Sequence, residues 1–244
     1  MCWRLLTTTE PQYPKKKKIK LNIHGLHKHY EHEDQIQFVN VMEKEMQQKL
    51  SPDDVLDILK NGNKRFTSGA WSEKNLKLQV AATSEGQNPM AIVLSCIDSR
   101  TATEHIFDLG IGDIFSIRIA GNILNSDILG SMEYATHEVG TKLILVLGHT
   151  SCGAITGACN HVVMGNLTGL LAKIEPAISG EKTVSDNRSG SNPQFVNQVA
   201  ALNVQMTIER IRNESAILAA LEQNMQIKIV GGLYDIESGR VSFF

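Results

Sequence analysis

The chain alternates short apolar runs with amphipathic stretches. Four runs have strand length: Met90–Leu94, Ile114–Ile119, Leu143–Leu147 and Ile227–Val230. All are rich in Ile, Val and Leu. The first and third are continuously apolar, the pattern of strands buried on both faces of a parallel sheet. The second is interrupted by Ser116 and Arg118 and the fourth by Lys228, so their strand signal is weaker. The stretches between them are helical. Ser51-Pro52-Asp53-Asp54 is a helix start: serine caps, proline suits the first turn, and the acids face the positive end of the dipole. Val55, Ile58 and Leu59 continue it as an apolar stripe towards Phe66, with Gly69 as the stop. Ser126 to Val139 reads as a second helix closed by Gly140. Asn197 to Asn224 reads as a long helical pattern with a break near Asn213. Arg240–Phe244 follows the turn-like Glu237-Ser238-Gly239 and would add an edge strand.

Strands alternating with helices predict an α/β fold. The expected sheet is mostly parallel, about four parallel strands plus an antiparallel C-terminal edge strand, flanked by helices. Residues 48–244 read as a single catalytic domain. Residues 1–47 read as a polar, basic arm, partly flexible or packing on a partner subunit. They hold the Lys15–Lys18 run and the histidines His24, His27, His29 and His32, without a cysteine among those histidines to anchor a metal. The segment from Gly180 to Pro193 is rich in Ser, Asn and Gly and reads as an exposed loop without chemistry.

Composition narrows the function. Over 244 residues, 42% are apolar and 20% charged, as in soluble globular proteins. The formal net charge of −2 offers no basic field for nucleic acid. No window approaches the ~20 apolar residues of a membrane span, and the N-terminus has no secretory pattern. The expected location is cytoplasmic, with organellar targeting by the N-terminal extension left open. Four cysteines in a chain of this length do not make a disulfide scaffold; beside histidines they read as metal ligands or nucleophiles.

Two motifs follow two of the apolar runs. Ser95-Cys96-Ile97-Asp98-Ser99-Arg100 follows the first, and Gly148-His149-Thr150-Ser151-Cys152-Gly153 the third. Ligands bind beyond the C-terminal ends of strands in open parallel sheets. If the two strands are neighbours, Cys96, His149 and Cys152 converge. Two thiolates, one imidazole and an open fourth position make a catalytic zinc set rather than a closed structural one. Cys152 also stands where a helix would start, which favours a thiolate. Each cysteine taken alone also fits an inert buried residue. Asp98 and Arg100 form the second clue. Arginine grips a carboxylate through two N–H bonds, which would keep Asp98 ionised and aimed, although a plain salt bridge would look the same in sequence.

Cys-x-Asp-x-Arg, about fifty residues, then His-x-x-Cys-Gly resembles the β-carbonic anhydrase family. The resemblance extends over roughly residues 51–244. It includes Asn61–Phe66, Phe107-Asp108 with Gly112-Asp113, Arg118 through Asn122, and Ile229–Phe244. It implies one Zn2+ per subunit on Cys96, His149 and Cys152. The implied reaction is reversible hydration of CO2 to bicarbonate and a proton by a zinc-bound hydroxide, which Asp98 orients while Arg100 holds Asp98. It implies substrate contacts from Gln87, reaching across a dimer interface, and from Phe115, Ala120 and Tyr134, lining an apolar pocket, with the Gly153 N–H meeting the anion. Ala120 is smaller than the valine usual there. It also implies a helical N-terminal arm and a homodimer or dimer of dimers. Val93 stands where some bacterial members carry the Trp of an inhibitory bicarbonate site, so the plant-like, open-site branch is the expectation. Two other readings remain: a related zinc hydrolase acting on carbonyl sulfide or carbon disulfide, and a non-catalytic zinc-binding protein of the same fold.

Overall fold

The computed structural model describes residues 28–32, 35–39 and 41–244, the segments before residue 41 by their backbone pairing only. The Lys15–Lys18 run and the side chains of the four N-terminal histidines lie outside the described residues. Strands β1 (Lys28–His32) and β2 (Gln35–Val39) pair antiparallel. The arm therefore carries a two-stranded ribbon before its first described helix, Lys44–Lys49.

The main sheet has five strands: β3 (Ala91–Ser95), β4 (Ile114–Arg118), β5 (Leu143–His149), β6 (Lys228–Tyr234) and β7 (Val241–Phe243). Their spatial order is β4-β3-β5-β6-β7. The first four run parallel and β7 is antiparallel. The uninterrupted runs became β3 and β5, buried along their whole length, whereas β4 and β6 are only partly covered. A strand's side chains alternate between faces. Ala91, Val93, Leu143, Leu145 and Leu147 pack with Val55 and Leu59 of the helix Pro52–Ser68 on one face. Ile92, Leu94, Ile144 and Val146 pack on the other face with Ile128 and Met132, with Val204 and Ile208 of the helix Pro193–Glu214, and with Leu218. A further apolar cluster surrounds Cys96 and Cys152.

Local chemistry explains most boundaries. Ser51 and Asp54 form a reciprocal cap, Asp54 N–H to Ser51 Oγ at 3.2 Å and Ser51 N–H to Asp54 Oδ2 at 2.9 Å. Gly69 ends that helix at φ 73°. One boundary differs from the periodicity, and the break expected near Asn213 falls at Ser215. The α-helix begun at Ser126 stops at Glu133, and Tyr134–Glu138 follow as a π turn before Gly140 at φ 92°. Its cap is Asn125, whose Oδ1 accepts from Ile128 N–H at 2.9 Å. The long pattern to Asn224 divides into Pro193–Glu214 and Ala216–Gln223. Ser215 separates them because its Oγ caps Leu218 N–H and donates to Glu133 Oε1 at 2.6 Å.

Two buried carboxylates fasten the loops. Asp108 is inaccessible and takes φ 50°. It accepts from Arg65 Nε at 2.6 Å, from Ser72 N–H and Oγ, and from Lys74. Burial alone would raise its pKa, but these donors outweigh it, Arg65 foremost, and hold the carboxyl at about 2. The polar loop before Pro193 is pinned by buried Glu181, which accepts from Arg188 Nη1 at 2.7 Å, while the Arg188 guanidinium lies 4.6 Å from the Phe195 ring centre. No helix among the described residues is long and apolar enough to cross a membrane.

Candidate metal centre

The strand order makes β3 and β5 direct neighbours in register, Ser95 opposite Leu147. Their C-terminal ends therefore present Cys96 and His149 side by side. The chain turns at Ser151, in the left-handed region at φ 54°, and Cys152 immediately precedes the helix Gly153–Cys159. The ligand atoms of Cys96, His149 and Cys152 all lie within 4.8 Å of one another, and all three residues are buried.

Each donor is prepared. His149 Nδ1–H donates to Thr150 O at 2.9 Å, which leaves Nε2 as the lone-pair nitrogen. Nε2 is buried and has no hydrogen-bond partner. A buried polar atom without a partner is costly, and here it faces two sulfurs. The Cys96 and Cys152 Sγ atoms are 3.9 Å apart, far beyond the ~2.05 Å of a disulfide. Two sulfurs on a tetrahedral zinc, each ~2.3 Å from it, would lie about 3.8 Å apart. The residues present therefore fit zinc. Contact with Cys152 lowers the Cys96 pKa, against burial that raises it, and His149 and the Gly121 N–H add to the lowering. Cys152 moves up, because Cys96 and burial both oppose a second negative charge. A divalent cation between them is what would let both ionise.

Beside this triplet, Arg100 binds Asp98 through both carboxylate oxygens, and Asp98 Oδ2 lies 3.9 Å from His149 Nε2. The Arg100 bonds, first of all causes, hold the Asp98 carboxyl well below the usual range, so it is an anion at neutral pH.

The family model described as carbonic anhydrase matches residues 91–241. The chain belongs to the carbonic anhydrase family. It is 33% identical to "Carbonic anhydrase 2" of Mycobacterium tuberculosis over 188 residues, covering 75% of this chain and 87% of that protein. It is 34% identical to the carbonic anhydrase of Mycolicibacterium smegmatis over 190 residues, covering 75% and 88%. Among solved structures, it superposes on a tetrameric β-carbonic anhydrase of Sordaria macrospora with a TM-score of 0.58 at 24% identity, covering 67% of this chain and 84% of that one. The fold is that of the β-class carbonic anhydrases.

Within this carbonic anhydrase, the sequence-expected residues fall into two groups. Cys96, His149, Cys152, Asp98 and Arg100 come together. Gly153 is exposed at the start of its helix and Ala120 sits on the turn Ala120–Asn122, whose middle residue, Gly121, donates its N–H to Cys96 Sγ. Phe115 and Tyr134, ring centres 6.4 Å apart, line an open cleft of about 540 Å³ with Ile92 and Ile117. No ligand residue lines that cleft, so within one chain it is separate from the triplet. Gln87 is exposed on the loop between Thr83 and Ala91.

Four residues escaped the sequence reading as parts of the site. Thr101 Oγ1 lies 3.0 Å from Cys96 O and 2.8 Å from Asp98 O. Arg118 Nη2 donates to Asp98 O at 2.6 Å and Nε to Cys96 O at 3.2 Å. Asn197 Oδ1 accepts from Ser151 N–H, and Asn203 Nδ2 donates to Gly121 O. Two of them carried a sequence signal: Arg118 interrupts an apolar run, and Asn203 is an asparagine among the apolar positions Val199, Ala200 and Val204.

Proposed function

We propose that this protein catalyses the reversible hydration of CO2 to bicarbonate and a proton, as a zinc-dependent hydro-lyase. The observation that carries this reading is the buried Cys96–His149–Cys152 triplet with a clamped carboxylate, Asp98, beside it. Bound zinc would supply a strongly acidified water, the source of a nucleophile near pH 7.

The chain's own residues do the rest. Cys96, His149 and Cys152 would hold the metal through two thiolates and one imidazole. Asp98 accepts the nucleophile's proton-bearing side and so orients its lone pair. Arg100 fixes both Asp98 oxygens, which keeps Asp98 from swinging towards the metal. Phe115, Ala120 and Tyr134 offer apolar surface for CO2, Phe115 and Tyr134 at the site of a neighbouring copy, since within one chain their cleft is separate from the triplet. The Gly153 N–H faces the developing anion, and Gln87 serves the site of a neighbouring copy. A purely structural metal site has no use for an oriented carboxylate, which separates this reading from a non-catalytic zinc protein.

The site belongs to the open type, without an inhibitory bicarbonate site. Asp98 is engaged by Arg100, and the fully buried Val93 stands on β3. The active unit is a homodimer or a dimer of dimers in the cytoplasm. Strand β4 is an edge of the sheet, and Tyr134 beside it is 54% exposed. Edge strands of this kind are normally covered. Residues 48–244 act as one catalytic domain.

Stopped-flow measurement of CO2 hydration, with zinc content determined on the same sample, tests the proposal. Catalysis at one zinc per chain supports it. Full zinc occupancy without hydration overturns it.

A further inference from the structure

The helix Pro193–Glu214 approaches both ligand-bearing loops with asparagines. Asn197 Oδ1 accepts from Ser151 N–H at 3.0 Å, between His149 and Cys152. Asn203 is 4% exposed, and its Nδ2 donates to Gly121 O at 2.9 Å across 82 residues of sequence. Gly121 in turn points its own N–H at Cys96 Sγ, 3.4 Å away. Both polar ends of one residue are thus engaged, its carbonyl by a helix and its N–H by a metal-binding sulfur.

The turn offers little freedom to achieve this in another way. Gly121 sits at φ 68°, and a Cβ there would lie 2.9 Å from Ile174 Cδ1. Asn122 follows at φ 42° and closes the turn through its N–H to Ile119 O at 2.9 Å. Two successive left-handed residues are unfavourable unless the surroundings fix them. Asn203 is the side chain that fixes the carbonyl between them. A buried asparagine is costly unless bonded, and its neighbours Val199, Ala200 and Val204 are all buried apolar residues. An N–H donated to a thiolate draws electron density from the sulfur and weakens its donation to a metal.

We propose that Asn203 is a positioning residue for the metal centre: by holding Gly121 O, it aims the Gly121 N–H at Cys96 Sγ and so sets the donor strength of that sulfur. The inference rests on the zinc reading above and deepens it. It assigns a function to a residue on a helix that contributes no ligand.

The test uses the full chain loaded with cobalt(II) in place of zinc, together with the release of zinc to excess chelator. In Asn203→Leu, similar in size and without a donor, the sulfur-to-cobalt charge-transfer band should move to lower energy. Zinc release should change by roughly 10-fold or more, the scale of second-layer effects at metal sites. Asn203→Asp, of equal volume, is read in the same way and replaces the leucine variant if that does not fold. Val204→Ala is the control, since it removes core volume one position along the same helix without touching Gly121 O. Band and release altered in the Asn203 variants and unaltered in Val204→Ala support the proposal. Unaltered values in the Asn203 variants, or equal changes in Val204→Ala, overturn it. A wild-type chain that takes up neither metal would instead overturn the zinc reading beneath it.

Discussion

Arg100 holds Asp98 by both oxygens, Nε to Oδ1 at 2.9 Å and Nη2 to Oδ2 at 2.7 Å, with the Arg100 backbone N–H on Oδ1 as well at 3.0 Å. The two residues are two positions apart in sequence and form a closed fork that keeps the carboxylate ionised and pointed at the metal triplet. Bidentate geometry is specific to arginine, because lysine offers only a point charge. Asp98→Asn should therefore keep zinc and lose activity, by about 10²-fold, the scale of a misplaced reacting group. Arg100→Lys should fall by about 10-fold or more. Stopped-flow kcat/KM and zinc content on each variant decide it; wild-type rates in both would refute the assigned roles.

The ligand set predicts a clean split among the cysteines. Cys96→Ser and Cys152→Ser should lose zinc and activity together. Cys159→Ala should keep both, because Cys159 is buried on the helix Gly153–Cys159 outside the triplet. Removing zinc with a chelator should lower Tm, since a ligand at ~1,000 times its Kd contributes about 4 kcal/mol to the folded state. Restoring zinc should restore Tm. A Tm indifferent to the metal would argue against a site at the junction of two strands.

Asp108 gives a pH prediction whose sign follows from its direction of shift. Its folded pKa, about 2, lies below the ordinary carboxylate value. Its stabilising effect is therefore complete above the unfolded value, ~3.9, and is lost as pH falls through about 2. Asp108→Asn preserves the left-handed backbone, which asparagine tolerates, and removes the charge. The variant should be less stable near neutral pH by about 1–3 kcal/mol. Its stability should change less than wild type between pH 4 and pH 2 (an interval of roughly 2 units set by those two pKa values). Parallel denaturation curves across that interval would disprove the assignment.

Gly62 predicts a packing failure. It lies on the helix Pro52–Ser68, and a Cβ there would come 1.9 Å from the Phe107 carbonyl oxygen. That obstacle is backbone and cannot swing aside. Gly62→Ala should cost about 3 kcal/mol or more, at the upper end of overpacking effects, despite alanine's better helix propensity. Chemical denaturation measures it, and a stabilised variant would show that the helix can shift outward.

The chemistry of this protein was legible in the sequence because its signals are local. Ligand type and spacing placed Cys96, His149 and Cys152 after apolar runs, and Asp98 with Arg100 lies within five residues of Cys96. The cap at Ser51, the stop at Gly69 and the edge strand near the C-terminus were equally local, each set by one or two side chains. Periodicity could not show that β3 lies between β4 and β5, since strand order depends on which faces find cover. Nor could it show the π turn after Glu133, and it placed the break in the long helical pattern near Asn213 without the contact that sets it, the Ser215 hydroxyl on Glu133 of another element. The surroundings of the site lay furthest from view. Asn203 reaches Gly121 across 82 positions and Thr150 reaches Asp235 across 85. Sequence by itself determined which atoms could bind a metal. Only the tertiary structure decided how those atoms are oriented, because orientation comes from hydrogen bonds between segments that meet only after folding.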